Sequence, residues 1–264
     1  MRTLLQQRAP KPASFGVTNL VFIGRSLRHS LRNVESLVMA IMLPVMLMLL
    51  FTYVFGGAID PSGDYVNYVV PGIILLCAGF GSSSTAVDVA TDMTNGIIDR
   101  FRTMPIRSLS VVVGHVVASL VRNLLATCIV IGVALAVGFR SDASVLEWAG
   151  ALGVIILFIL TFTWLFAAIG LVTGSPSAAS GYGFALLFLP YLSSAFVPTS
   201  TMPSWLQGLA NHQPITPVIE TIRGLLSGTP IGDNGWWAIG WCTFILMLAL
   251  IWCTLAFRRK AGQR

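Results

Sequence analysis

Charge is what this chain of 264 residues lacks: only 10% of its residues are Asp, Glu, Lys or Arg, against about 25% in soluble domains. Lysine occurs twice, as Lys11 and Lys260. With no GxxxxGK(S/T) phosphate loop, ATP binding in the P-loop manner is excluded. The four cysteines, Cys77, Cys128, Cys242 and Cys253, show no CxxC or Cys/His spacing and lie in apolar stretches. They read as small packing residues, with no metal set and no disulfide. No HExxH motif occurs, and no paired carboxylates fall in a plausible cleft. Gly79-Phe80-Gly81-Ser82-Ser83-Ser84 resembles a serine-nucleophile stretch, but His29, His115 and His212 are scattered along the chain. Small residues that let helices approach closely explain that stretch better.

What is present is apolar. Hydrophobic residues make up 55% of the chain, with a mean hydropathy of +0.82. They fall in six blocks: 37–55, 68–90, 111–137, 148–172, 178–197 and 236–257. Each approaches the roughly 20 residues that cross a bilayer as helix, and each backbone in lipid must satisfy its own hydrogen bonds. The expected fold is an all-α polytopic membrane protein with six transmembrane helices in one domain spanning 1–264. Pro44, Pro71 and Pro190 read as tolerated kinks.

Residues 1–14 read as a polar, basic tail, and the first apolar block is too long for a signal-peptide core. Over 15–34, Val17, Leu20, Val21, Leu27, Leu31 and Val34 share one helical face, and Arg25, Arg28, His29 and Arg32 the other. An amphipathic helix of this kind lies in a membrane interface or packs on a partner protein.

Thirteen of the sixteen Lys and Arg residues fall in the N-terminal 34 residues, the loop after the second block, and the C-terminus. The positive-inside rule therefore puts both termini and that loop in the cytoplasm. The same placement, flanking apolar blocks, argues against nucleic acid as the reason for the formal charge of +6.

The loop itself, Thr91 to Arg107, is the one internal segment that is polar and carries several charges of both signs. On the opposite side, residues 198–235 form a long connection in which Trp205, Leu206, Leu209, Ile215, Val218, Ile219 and Ile222 recur at helical spacing. Pro214 and Pro217 are expected to break it into two short helices that dip into the outer leaflet and return, a geometry that survives only when buried or lining a cavity. Glu220 and Arg223 are spaced to pair, as a local brace or a gate.

Asp88 and Arg122 are the ionisable residues nearest the membrane interior. Counting from Met104 at the middle of the loop, Asp88 comes sixteen residues before and Arg122 eighteen after, so antiparallel helices put them at similar depth. They either pair, since each charge alone is costly there, or Arg122 snorkels to phosphates while Asp88 faces a wet cavity.

This order of elements resembles permeases of the type-2 ABC exporter family, particularly the daunorubicin-resistance-like drug exporters. The resemblance is carried by Gly96-Ile97-Ile98-Asp99-Arg100-Phe101-Arg102-Thr103-Met104-Pro105-Ile106 with Leu120-Val121-Arg122-Asn123. A second match is Met202-Pro203-Ser204-Trp205-Leu206 with Gln213-Pro214-Ile215-Thr216-Pro217 and Arg223-Gly224-Leu225-Leu226. It departs at Gln213, where the family often has Asn. The resemblance implies that 92–107 is a coupling helix in a groove of a separate ATP-binding subunit, present in two copies. Ile97, Ile98, Phe101 and Met104 would plug that groove, and Asp92, Gly96, Asp99, Arg100, Arg102, Pro105 and Arg107 would complete the contact. It further implies a second permease, as homodimer or sister subunit, in a bacterial plasma membrane. No cofactor is expected on this chain, with ATP and Mg on the partner. Two other readings remain at this point: a lipid-modifying membrane enzyme using Asp88, and a membrane scaffold without transport.

Overall fold

The structure is a computed structural model that describes residues 24, 26, 34–96 and 109–262. The helix expected over 15–34 lies almost wholly outside these residues, as do Ile97 to Arg107 of the loop. Among the described residues every element is helical, as a chain that must satisfy its backbone inside lipid requires.

The helices are α1 (Val34–Leu49), α2 (Gly56–Ile59), α3 (Tyr65–Thr94), α4 (Leu109–Val137), α5 (Val145–Val172), α6 (Pro176–Leu186), α7 (Ser204–His212), α8 (Ile215–Ser227) and α9 (Asn234–Gly262). Among the described residues five stretches are long and apolar enough to cross a membrane: Ala40–Ile59, Tyr65–Thr94, Val111–Val137, Val145–Val172 and Asn234–Phe257. The first four alternate in direction, and α9 runs the same way as α5 because α6 lies between them in the chain. One end of the bundle, called upper here, gathers residues 60–64, the 138–144 turn, α7 and α8. There Arg140 N–H donates to Asn67 Oδ1 (3.0 Å) and Ser141 Oγ to the Leu226 carbonyl (2.6 Å). The lower end holds the connection between α3 and α4.

α3 is the axis. It packs against α1, α4, α5 and α6, and 72% of its most apolar window is buried, against 17% for the first crossing and 22% for α9. Its core residues, among them Val69, Ile73, Ile74, Leu75 and Leu76, are fully enclosed. The outer helices instead leave apolar stripes uncovered, such as Met42, Met46, Leu50 and Tyr53 on the first crossing. In water such a surface marks an interaction site; on a membrane protein it faces lipid or another subunit.

Local chemistry explains where the elements start and stop. Pro44 lies within α1 and lacks the N–H that would bond the carbonyl four residues earlier. That carbonyl, on Ala40, accepts instead from Cys77 Sγ of α3 at 3.7 Å. Beyond Pro44 the helix widens to π geometry over Leu50–Phe55 before α2 resumes. In the turn that follows, the Asp60 carboxylate accepts from Ser62 N–H and Oγ, which holds its pKa below the ordinary value. α5 begins three residues before Trp148 because Ser144 and Glu147 form a reciprocal capping box.

The fifth apolar block departs from a single continuous helix. Ser175 caps α6, Pro176 takes its first position, and the α-helix ends at Leu186. The ring of Pro190 clashes with the carbonyl four residues back, and that residue is Leu186. A 3₁₀ turn over Leu189–Leu192 follows. Ser193 Oγ then donates to the Pro190 carbonyl (2.5 Å) and accepts from Ala195 N–H (3.1 Å), a local arrangement that competes with helix. Pro190 is thus a stop and not a tolerated kink. The returning chain crosses α3 closely: a Cβ on Gly72 would lie 2.7 Å from Ala195 Cβ, so only glycine fits there.

The connection 198–235 forms two short helices, α7 and α8. The break falls at Gln213-Pro214. Pro217 does not break the run, because it occupies the first turn of α8, where an N–H has no intrahelical acceptor. Gln213 Nε2 reaches the Leu192 carbonyl at 2.6 Å, fixing α7 and α8 to the broken end of the fifth block.

Candidate functional site

The polar side chains inside the bundle converge on the seam between α3 and α4, the helices that flank the loop. Ser82, Ser84, Thr85, Asp88 and Asp92 lie on the lower half of α3. His115, Ser119, Arg122 and Asn123 lie on α4. Helical spacing puts each set on one face, and the antiparallel packing brings the faces together.

Arg122 is the hub and is 4% exposed. Its Nη1 stands 3.6 Å from Asp88 Oδ2, and its Nη2 donates to the Gly81 carbonyl at 3.2 Å and to Ser84 Oγ. Asp88 is 35% exposed, so this is a pair at the edge of the seam. Removing one member leaves a charge that is expensive in low dielectric. Closer to the loop, His115 Nε2 lies 3.0 Å from Asp92 Oδ2, both side chains 15% exposed. Asp88 and Asp92 are one turn apart on α3, so the two contacts are successive rungs across the same seam.

Above them the seam is uncharged. Thr85 Oγ1 donates to Ser119 Oγ (2.8 Å), and Asn123 Nδ2 to Ser119 Oγ (3.3 Å) and Ser82 Oγ (3.4 Å). Thr163 of α5 joins through Ser82 Oγ at 3.2 Å. The Asn123 carboxamide rests against Gly81, where a Cβ would come within 1.6 Å of Oδ1. The Gly79–Ser84 stretch therefore does more than permit close packing. Gly81, Ser82 and Ser84 receive Arg122 and Asn123, and their partners are not a histidine.

The second concentration of polar contacts is at the upper end. Arg223 of α8 pairs with Glu220, but it is not a local brace alone. Its Nε and Nη2 both donate to the Tyr68 carbonyl (3.2 and 3.1 Å), and Nη2 also to the Ser194 carbonyl at 2.8 Å. Its guanidinium sits 3.9 Å from the centroid of the Tyr68 ring. Tyr68 Oη donates to the Ser194 carbonyl (2.9 Å) and Tyr65 Oη to the Phe196 carbonyl (2.7 Å). One arginine thus joins α8, the start of α3 and the broken end of the fifth block, using the fork that makes Arg unlike Lys. Trp205, on α7, is 78% exposed and takes no part, while Pro214 and Pro217 shape the start of α8.

The structure therefore brings together Asp88 with Arg122 and Glu220 with Arg223, and adds Asp92 with His115. The coupling candidates Ile97, Ile98, Asp99, Arg100, Phe101, Arg102, Met104, Pro105 and Arg107 lie outside the described residues; of that set only Asp92 and Gly96 are described. No group of three or more His, Cys, Asp or Glu placed to hold a metal occurs among the described residues.

Comparison with known proteins places this arrangement. A family model described as ABC-2 type transporter matches residues 19–227. A daunorubicin resistance ABC transporter permease protein of Streptomyces coeruleorubidus is 30% identical over 243 residues, covering 91% of this chain and 84% of the relative. A probable doxorubicin resistance ABC transporter permease protein of Mycobacterium tuberculosis is 23% identical over 251 residues, covering 94% and 90%. A putative transport permease of Cyanophora paradoxa is 27% identical over 243 residues, covering 86% and 82%. With every described element helical, five described stretches long and apolar enough to cross a membrane, and a match to the family model over most of its length, the chain belongs to the ABC-2 type transporter family, as the transmembrane permease subunit of an ABC exporter.

Proposed function

We propose that the chain is a single permease domain that moves a hydrophobic or amphipathic compound out of the cytoplasm or inner leaflet of a bacterial plasma membrane. Two relatives are named for resistance to daunorubicin and doxorubicin, and a drug-like or lipid-linked cargo is the corresponding reading here. ATP, with Mg, is hydrolysed on two copies of a separate ATP-binding subunit. The lower end of the bundle faces the cytoplasm with both termini, in keeping with the distribution of Lys and Arg. α6, the 3₁₀ turn Leu189–Leu192 and the non-helical residues on to Val197 supply a sixth crossing, and α7 and α8 form the outer re-entrant hairpin. A second permease, identical or a sister chain, covers part of the exposed apolar surface, with the route between the two.

The observation that carries this reading is the paired seam beside the loop. Residues 92–107 seat in a groove of the ATP-binding subunit, and a push on them reaches α3 and α4 together. Sliding one helix past the other would strand Arg122 from Asp88 and His115 from Asp92, so the pair of helices moves as a unit. At the far end Arg223 ties the start of α3 to α8, so the same displacement reaches the outer segment. Coupling of this kind needs a chain of packed or bonded contacts between two sites, and α3 provides one.

Reconstitution tests the division of labour. Purified chain in vesicles should export nothing alone, and should export with a hydrolysis-competent ATP-binding subunit but not with a hydrolysis-dead one. Lipid chemistry by the chain alone would favour the enzyme reading, and membrane function indifferent to hydrolysis the scaffold reading.

A further inference from the structure

A cavity of about 630 Å³ lies between the ends of α5, α6 and α9, away from the polar seam. Its walls include Thr173 and Gly174 of the α5–α6 turn, Ala178, Tyr182 and Ala185 along one stripe of α6, and Trp252 of α9. The α6 residues follow i, i+4 and i+7 spacing, which gives one helical face. The volume falls within the roughly 300–1,000 Å³ of small-molecule sites, which are likewise mostly apolar with few polar groups.

Depth narrows the occupant. Tyr182 lies six residues into α6 from Pro176, and Trp252 six residues before Arg258. At 1.5 Å per residue Tyr182 lies about 9 Å above Pro176, where α6 begins, and Trp252 about 9 Å above Arg258, where the apolar run of α9 gives way to basic residues, so the two lie at similar depth. Ala185 is about 14 Å in by the same measure, close to the middle of a hydrocarbon core about 30 Å thick. The cavity therefore runs from the lower boundary to mid-membrane, the span of one leaflet. Its two aromatic walls are accessible, with Tyr182 61% and Trp252 41% exposed, and ring faces favour offset stacking on another ring system. Its polar end is at the turn. There Thr173 Oγ1 donates to the Gly170 carbonyl (3.2 Å) and keeps acceptor capacity, and the Cβ direction of Gly174 is open.

We infer that this cavity binds an amphiphile with a planar aromatic body, drawn sideways from the cytoplasmic leaflet, with its polar group at the Thr173–Gly174 turn. The assignment to that leaflet rests on the orientation given under Proposed function. A single acyl chain would fill an apolar groove anywhere on the bundle; level aromatic walls and a polar floor suit a ring system with one polar end.

The test uses the permease assembled with its ATP-binding subunit in lipid nanodiscs, with ethidium, a planar aromatic cation, as the probe read by fluorescence anisotropy. Ala178→Trp and Ala185→Trp fill the cavity and should each weaken ethidium binding tenfold or more. Ala178→Leu, a milder change that keeps the test alive if the larger ones misfold, should give an intermediate loss. Leu152→Trp, on an exposed face of α5 toward the other end, should bind as wild type does. Wild-type affinity in all three cavity variants overturns the inference. So does an efficient disulfide between Ala178→Cys residues of two permeases, which would mean that a second copy covers the cavity. The exporter reading has a separate readout: an ATP-binding subunit that fails to assemble with the wild-type chain would sink that reading and leave the binding result standing.

Discussion

The carboxamide of Asn123 occupies the space that a side chain on Gly81 would need, with Oδ1 only 1.6 Å from the ideal Cβ position. The same glycine offers its carbonyl to Arg122 at 3.2 Å, so one residue of α3 receives two consecutive residues of α4. Gly81→Ala must therefore push the helices apart or turn Asn123 away from Ser82 and Ser119. Overpacking of this kind costs about 1–3 kcal/mol. Thermal unfolding in detergent should show Gly81→Ala melting below wild type, and Gly81→Ala with Asn123→Ala regaining part of the difference. An unchanged Tm for Gly81→Ala would contradict the close approach.

The Asp88–Arg122 contact is separable from a pair of unrelated charges. Asp88→Asn and Arg122→Gln should each lower stability or export, and the double variant should recover part of the loss. Contacting pairs show interaction energies of about 0.5–3 kcal/mol, and the lower part of that range is expected because Asp88 is partly exposed. Strict additivity in the cycle would mean that the two do not meet.

Arg223 distinguishes geometry from charge. Arg223→Lys keeps the charge but cannot hold the Tyr68 and Ser194 carbonyls and Glu220 together. Tyr68→Phe keeps the ring under the guanidinium and loses only the bond to Ser194, at about 1 kcal/mol. The lysine variant should therefore be the more damaging in both Tm and export, and the reverse order would count against Arg223 as the upper clamp.

Orientation is open to labelling. In a Cys128→Ser background, single cysteines at positions 60–64 and 199–204 should react with an impermeant maleimide added outside the cell, and those at 100–107 should not. Outside labelling of the 100–107 region would invert the topology.

Hydropathy made the crossings legible because each is a long apolar run, and α3 to α5 and α9 start within three residues of their blocks. Asp88 and Arg122 were legible by counting from Met104, since antiparallel helices share one rise per residue. The same count, twelve residues before and eleven after, pairs Asp92 with His115, but the serine-rich stretch Gly79–Ser84 draws attention to His115 only as a possible partner for a serine. The end of α6 was missed because Pro190 can kink or stop a helix, and the adjacent Ser193 and Ser194 decide which. Arg223 was legible as a partner of Glu220 three residues away, but not of the Tyr68 carbonyl 155 residues away. A backbone acceptor leaves no mark in a side-chain pattern.

If 92–107 transmits the work of ATP hydrolysis to α3 and α4, Phe101 is the sharpest place to measure it. Burying one aromatic at an interface commonly contributes about 2 kcal/mol or more. In vesicles containing the permease and its ATP-binding subunit, Phe101→Ala should weaken the association and reduce ATP-driven export at least tenfold, while membrane insertion and the Asp88–Arg122 coupling stay as in wild type. Export at the wild-type rate, with the ATP-binding subunit still fully associated, would contradict the account.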